Sequence, residues 1–181
     1  EFRDTATRNV LAPKNPSKTI LLYVGRISVE KRLEDVAEVL RARPETVFSI
    51  VGGGPHEAEL RKFFAEFGDR VHFVGVLRGE ALSKAYASAD MFVMPSDSET
   101  LGFVVIEAMA SGLPIVAADA GGIPSIVDHE SNGILVKPGD TKAFAAACGR
   151  VLDDAGMRER LTTRGRSDAE GWSWRAATKN L

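Results

Sequence analysis

Six short apolar runs punctuate this chain, and the stretches between them mostly have helical spacing. The runs are TILLYV (19–24), VFSIV (47–51), VHFVG (71–75), MFVMP (91–95), IVAA (115–118) and ILV (134–136). Continuous β-branched runs of this length read as strands buried on both faces. Between the first two, VEKRLEDVAEVLRA (29–42) puts Leu33, Val36, Val39 and Leu40 on one helical stripe. PHEAELRKFFAEFG (55–68) starts on Pro55 and ends on Gly68, as helices do. GEALSKAYASA (79–89) follows the third run. A further helix opens near Gly102 and closes at Gly112 and Pro114. DTKAFAAACGRVLDD (140–154) carries Asp140 as N-cap, and AGMRERLTTRG (155–165) continues the pattern. Strands alternating with helices predict an α/β fold with a doubly wound parallel sheet of about six strands. Residues 1–18, with Pro13 and Pro16, read as a linker. Residues 19–171 read as the folded domain and 172–181 as the start of another helix. In such sheets ligands bind beyond the carboxyl ends of the strands, so chemistry is expected in the loops after the first five.

Composition narrows the partners. The 181 residues suit one domain, or one and a half, and the net charge of −2 gives no electrostatic footprint for nucleic acid. A single cysteine, Cys148, lies among alanines, reads as core packing and forbids an intrachain disulfide. No apolar run is long enough to span a bilayer. The chain opens on Glu1 without a leader, which reads as part of a longer protein. His56, His72 and His129 are scattered, with no metal-ligand spacing.

The loops carry the candidate groups. After the first strand come Gly25, Arg26 and, at the expected start of a helix, Lys31. A guanidinium fork and a mobile ammonium suit a diphosphate. A cation at a helix start opposes the macrodipole, so the helix gains nothing from Lys31 there. GGGP (52–55) follows the second strand. Its glycines, Gly53 and Gly54 among them, suit either close approach of a ligand or a tight turn. Val76 and Leu77 follow the third strand and offer backbone groups beside an apolar surface. After the fourth strand, SDSETLGFVVIEAMASG (96–112) places Glu99 in the loop, Leu101 and Gly102 at the helix start and Glu107 inside the helix. Free N–H groups at that start form an anion site. Because Gly102 to Ala110 is apolar apart from Glu107, the helix reads as buried all round, and its carboxylate needs a partner. That partner is a ribose, a buried Arg or a backbone N–H; Glu99 is either a sugar contact or a cap. ADAGGIPSIV (118–127) supplies a flexible turn after the fifth strand.

Taken together, G-R-x4-K, G-G-G-P, F-V-G, P-S-x-x-E-x-L-G-x4-E, A-x-x-A-G-G-I-P and N-G resemble the C-terminal half of family-4 glycosyltransferases of the GT-B fold over residues 19–153. The resemblance implies a Rossmann-like half of a two-domain enzyme that retains anomeric configuration and needs no metal or other cofactor. It implies that Arg26, Lys31 and the Leu101 and Gly102 N–H groups bind the diphosphate of a UDP-sugar. Glu107 is then expected on the ribose, Glu99 on the sugar and Val76 and Leu77 around the base. Gly25, Gly53 and Gly54 border the cleft. Within the family, residues 83–124 and WSWRAATKN resemble the plant and algal sulfolipid synthases. That implies sulfoquinovose transfer to diacylglycerol in chloroplasts. Partners implied are the N-terminal domain of the same protein, the lipid acceptor and a membrane surface through that missing half. The fragment alone is expected to be inactive. Nothing in residues 1–181 reads a sulfonate, so mannosyl or glucosyl transfer, a non-catalytic nucleotide-sugar module and a sugar-nucleotide epimerase remain alternatives.

Overall fold

A computed structural model of the protein describes residues 4–172. The expected helix over 172–181 falls, apart from Trp172, outside those residues. The described residues form one six-stranded parallel sheet in the order β3-β2-β1-β4-β5-β6. The strands are β1 (Thr19–Val24), β2 (Thr46–Val51), β3 (Val71–Gly75), β4 (Met91–Met94), β5 (Ile115–Ala118) and β6 (Ile134–Val136). β1 pairs with β2 along its whole length and with β4 through Leu21–Met91 and Leu22–Phe92. The order reverses between β1 and β4. Loops leaving those two strands turn to opposite faces, and a crevice opens between them.

Period-two alternation splits the core in two. Leu21 and Tyr23 of β1 point to one face, with α2 (Val36–Ala42), α3 (Glu57–Phe63) and α6 (Thr141–Asp153). Ile20, Leu22 and Val24 point to the other, with α1 (Thr5–Leu11), α4 (Gly79–Ser88) and α5 (Phe103–Ala110). Helices on both faces make the sheet doubly wound, as expected. α7 (Ala155–Gly171) packs on α5 and α6. Cys148 is fully buried in the first core, and burial pushes its thiol pKa up. No described helix is long and apolar enough to cross a membrane.

Three expected elements are corrected. Residues 1–18 are more than a linker, because they contain α1. Asp4 caps it by accepting from the Ala6 and Thr7 N–H groups, and Leu11 is buried. Arg8 then ties it down, donating to the Pro16, Lys18 and Ser88 carbonyls and to Asp90 Oδ2 at 3.2 Å. The stretch 29–42 is not one helix. It forms two 3₁₀ turns, Val29–Lys31 and Leu33–Asp35, before α2 begins. Arg32 breaks it with a φ of 49°, its guanidinium clasped by Asp35 at 2.9 and 3.1 Å. The apolar stripe passes through the break, so periodicity alone could not reveal it. α3 likewise hands over to a 3₁₀ segment, Phe64–Arg70, in which Gly68 has a φ of 54°.

Candidate functional site

The carboxyl edge of the sheet brings the loops after β1, β2, β3, β4 and β5 together, and backbone contacts lock them. Gly25 N–H donates to Val51 O, Gly52 N–H to Gly75 O, and Ile27 N–H to Gly53 O. A Cβ on Gly52 would lie 1.8 Å from Gly25 O, and one on Gly54 2.1 Å from Ile27 O. Gly52 and Gly54 are therefore glycine because two loops pack backbone to backbone. For Gly54 this packing is reason enough to be glycine, whether or not it borders a cleft. Gly53 is different: a Cβ there would meet only Glu57 Oε2 at 3.7 Å and Val76 Cγ2 at 3.8 Å. It lies beside Val76, which is 65% exposed, whereas Leu77 packs partly into the second core.

Across the switch point the loops after β1 and β4 meet. Lys31 lies in the first 3₁₀ turn, five residues ahead of α2. The macrodipole argument for its placement therefore does not apply. Its Nζ sits 2.9 Å from Glu99 Oε2 and donates to Ser98 O at 3.0 Å. Both side chains are mostly enclosed, 14% and 18% exposed. The other carboxylate oxygen accepts from Thr100 N at 3.2 Å and Gly102 N at 3.3 Å. Burial pushes the Glu99 pKa up, but Lys31 and the two N–H groups outweigh it and hold the carboxyl below its ordinary value. Gly102, at φ 61°, caps α5, and a Cβ there would strike Ile126 Cδ1 at 2.7 Å. Arg26 is exposed at the cleft, and the buried Tyr23 donates to its carbonyl at 2.8 Å.

The expectation that α5 is buried all round is overturned. Val105, Ala108 and Met109 face the core, but Phe103, Glu107 and Ala110 form an open stripe. Leu101 and Phe103 are 60% and 53% exposed. Glu107 therefore pays no full burial penalty. Among the described residues neither a buried Arg nor a backbone N–H holds its carboxylate. Tyr86 of α4 does, donating from Oη to Glu107 Oε2 at 2.8 Å. Burial and the Glu107 charge together push the tyrosine pKa up.

Sequence reasoning missed Tyr86, whose place in the apolar stripe of α4 hid a polar end. It also missed what Gly121 and Gly122 do. Gly122 N–H donates to Glu99 O at 2.7 Å, and a Cβ on Gly121 would meet Glu99 O at 2.2 Å. The turn after β5 thus clamps the Glu99 backbone. Among the described residues no three His, Cys, Asp or Glu side chains converge as metal ligands.

The sequence pattern of the family described as "Glycosyl transferases group 1" matches residues 7–168. The chain is 44% identical over 183 residues to a sulfoquinovosyl transferase of Arabidopsis thaliana, SQD2, covering 99% of this chain and 36% of that protein. A sucrose-phosphate synthase from Thermosynechococcus elongatus superposes with a TM-score of 0.84 at 32% identity, covering 97% of this chain and 46% of that one. Anabaena HepE, crystallised with UDP, superposes with a TM-score of 0.81 at 24% identity, covering 92% and 48%. The chain thus spans between a third and a half of each relative's length. The fold, a Rossmann-like half of a GT-B glycosyltransferase, agrees with the sequence expectation.

Proposed function

The chain belongs to the group 1 glycosyltransferases, and from that premise we propose that it is the donor-binding half of an enzyme that moves a sugar from a UDP-sugar to a lipid acceptor. One observation carries this reading. At the switch point, Lys31 and the Gly102 N–H converge on one carboxylate, at 2.9 and 3.3 Å. An ammonium and a helix N-terminus that together hold an anion suit a diphosphate. Arg26 adds a second cation at the same edge. HepE, whose structures carry UDP and UDP-glucose, supports a nucleotide-sugar donor.

In this reading Arg26, Lys31 and the Leu101 and Gly102 N–H groups bind the diphosphate, and Gly25 and Gly53 border it. Val76 and Leu77 frame the uracil. Glu107 accepts from the ribose hydroxyls, with Tyr86 fixing its rotamer, and Glu99 accepts from the donor sugar. The bond from the anomeric carbon to the phosphate oxygen breaks, and the acceptor oxygen bonds to the same face of that carbon. The acceptor's proton passes to the departing phosphate oxygen. The cations and amides stabilise the charge gathering on UDP, so no metal is required. The Arabidopsis relative supports sulfoquinovose as the sugar. Diacylglycerol as acceptor and the chloroplast as compartment rest on the resemblance of residues 83–124. Turnover is assigned to this half joined to an N-terminal domain that carries the acceptor site and faces the membrane.

Calorimetric titration of the chain tests the reading. UDP should bind about tenfold or more tighter than GDP or ADP, because a mismatched base leaves polar groups unpaired. EDTA should leave the affinity unchanged. Equal binding of all three nucleotides, or a strict need for a divalent ion, would sink it.

Tyr86→Phe tests the ribose assignment. It removes one hydrogen bond to a charged group, so UDP affinity should fall about tenfold. Preference for UDP over 2′-deoxy-UDP should narrow, because a loosened Glu107 reads the hydroxyl less well. A lower melting temperature with intact ribose preference would make the pair purely structural.

A further inference from the structure

The Glu99 carboxylate is bound to two of the donors that the reading above gives to the diphosphate, Lys31 and the Gly102 N–H. Oε2 takes Lys31 Nζ at 2.9 Å, and Oε1 takes the Thr100 and Gly102 N–H groups at 3.2 and 3.3 Å. One ammonium and one helix start cannot fully serve both anions. We infer that Glu99 competes with the diphosphate for Lys31 and Gly102, and so discriminates the sugar-bearing donor from the bare nucleotide product. The inference rests on the assignment of this site to a diphosphate.

The surroundings decide how such competition works. The Glu99 backbone has little freedom: Gly122 N–H holds its carbonyl at 2.7 Å, and the Gly121 turn lies against its peptide groups. Only side-chain rotation relocates the carboxylate. Its binding to Lys31 and the amides is favourable enough to hold the carboxyl ionised below its ordinary range despite burial. Displacing it therefore costs free energy. A donor sugar offsets that cost, because its hydroxyls are new hydrogen-bond donors for the displaced carboxylate. UDP alone brings no donor-sugar hydroxyl, and its ribose hydroxyls are served by Glu107. After transfer, Glu99 returns to Lys31 as the diphosphate leaves. Glu99 thereby weakens product more than donor, which turns a sugar contact into an aid to product release.

The test is calorimetry of the chain with UDP and with inorganic pyrophosphate. Glu99→Gln removes the competing charge, and both probes should bind about fivefold tighter, the upper end for an exposed ion pair, because this one is mostly enclosed. Unchanged or weaker binding overturns the inference. Glu99→Asp keeps the charge but retracts it by one methylene from Lys31. It should show a smaller gain in the same direction, and it serves if the glutamine variant folds poorly by urea midpoint. No gain with a folded aspartate variant also overturns the inference. Lys31→Ala separates the two levels. If it leaves UDP affinity unchanged, the diphosphate assignment itself fails. If it weakens UDP while Glu99→Gln gives no gain, the assignment stands and the competition is refuted.

Discussion

Gly52→Ala is expected to lower the melting temperature by about 10 °C while leaving the chain's helical signature intact below the transition. The added Cβ would sit 1.8 Å from Gly25 O, in a backbone with a φ of 139°. Relief requires parting the loops after β1 and β2, which strains the Gly25–Val51 and Ile27–Gly53 hydrogen bonds. A rare backbone region costs about 1–3 kcal/mol and overpacking a similar amount. Their sum, about 2–6 kcal/mol, centres the shift near that value at about 2–4 °C per kcal/mol for a chain of this size. Gly112→Ala is the control. Gly112 also has positive φ, 76°, but nothing lies within 4 Å of its Cβ position. It should cost only about 1–2 kcal/mol. Equal midpoints for the two variants in urea would refute the backbone-packing account of the glycine loop.

Lys31→Ala is expected to weaken UDP binding about ten- to a hundredfold, since hydrogen bonds to charged groups are worth about 1.5–3 kcal/mol. The upper end is favoured, because the substitution also leaves the Glu99 carboxylate beside the phosphates with no cation between them. UMP, one phosphate shorter, should lose less. The ion pair itself is only 14% and 18% exposed, so removing its cation should also lower the melting temperature. Calorimetry of UDP and UMP, with a melting curve beside it, separates the possibilities. A fallen melting temperature with normal UDP affinity would make Lys31 a structural tie between two loops.

The sequence made the sheet legible because its strands are short, apolar and bounded by Gly or Pro. Ile115–Ala118 and Ile134–Val136 fall where the apolar runs place them. α1 was hidden because seven residues followed by Pro13 and Pro16 carry too little periodicity. Its hold on the domain comes from Arg8 and Asp90, 82 positions apart. The break at Arg32 was hidden because the apolar stripe runs through it. In the site, residue types announced the cations and carboxylates, but their pairing did not. Lys31 and Glu99 are 68 apart in sequence and meet only because β1 and β4 are neighbours. The exposure of α5 was also illegible. Leu101 and Phe103 look like core residues, yet they lie on the open side of the helix.

The unequal burial of the strands has a consequence for how the molecule breathes. β2 is buried throughout and β1 in all but its first residue, whereas β3 is half-buried throughout and β6 has only three residues. Local opening begins where few apolar contacts resist it, so amide protons of the two sheet edges exchange first and those of the centre last. The Lys31 and Glu99 loops spring from β1 and β4, both interior to the sheet. Fraying at either edge therefore leaves this pair mounted on the most slowly exchanging part of the protein. The Val76 loop springs from edge strand β3 and shares that edge's faster opening.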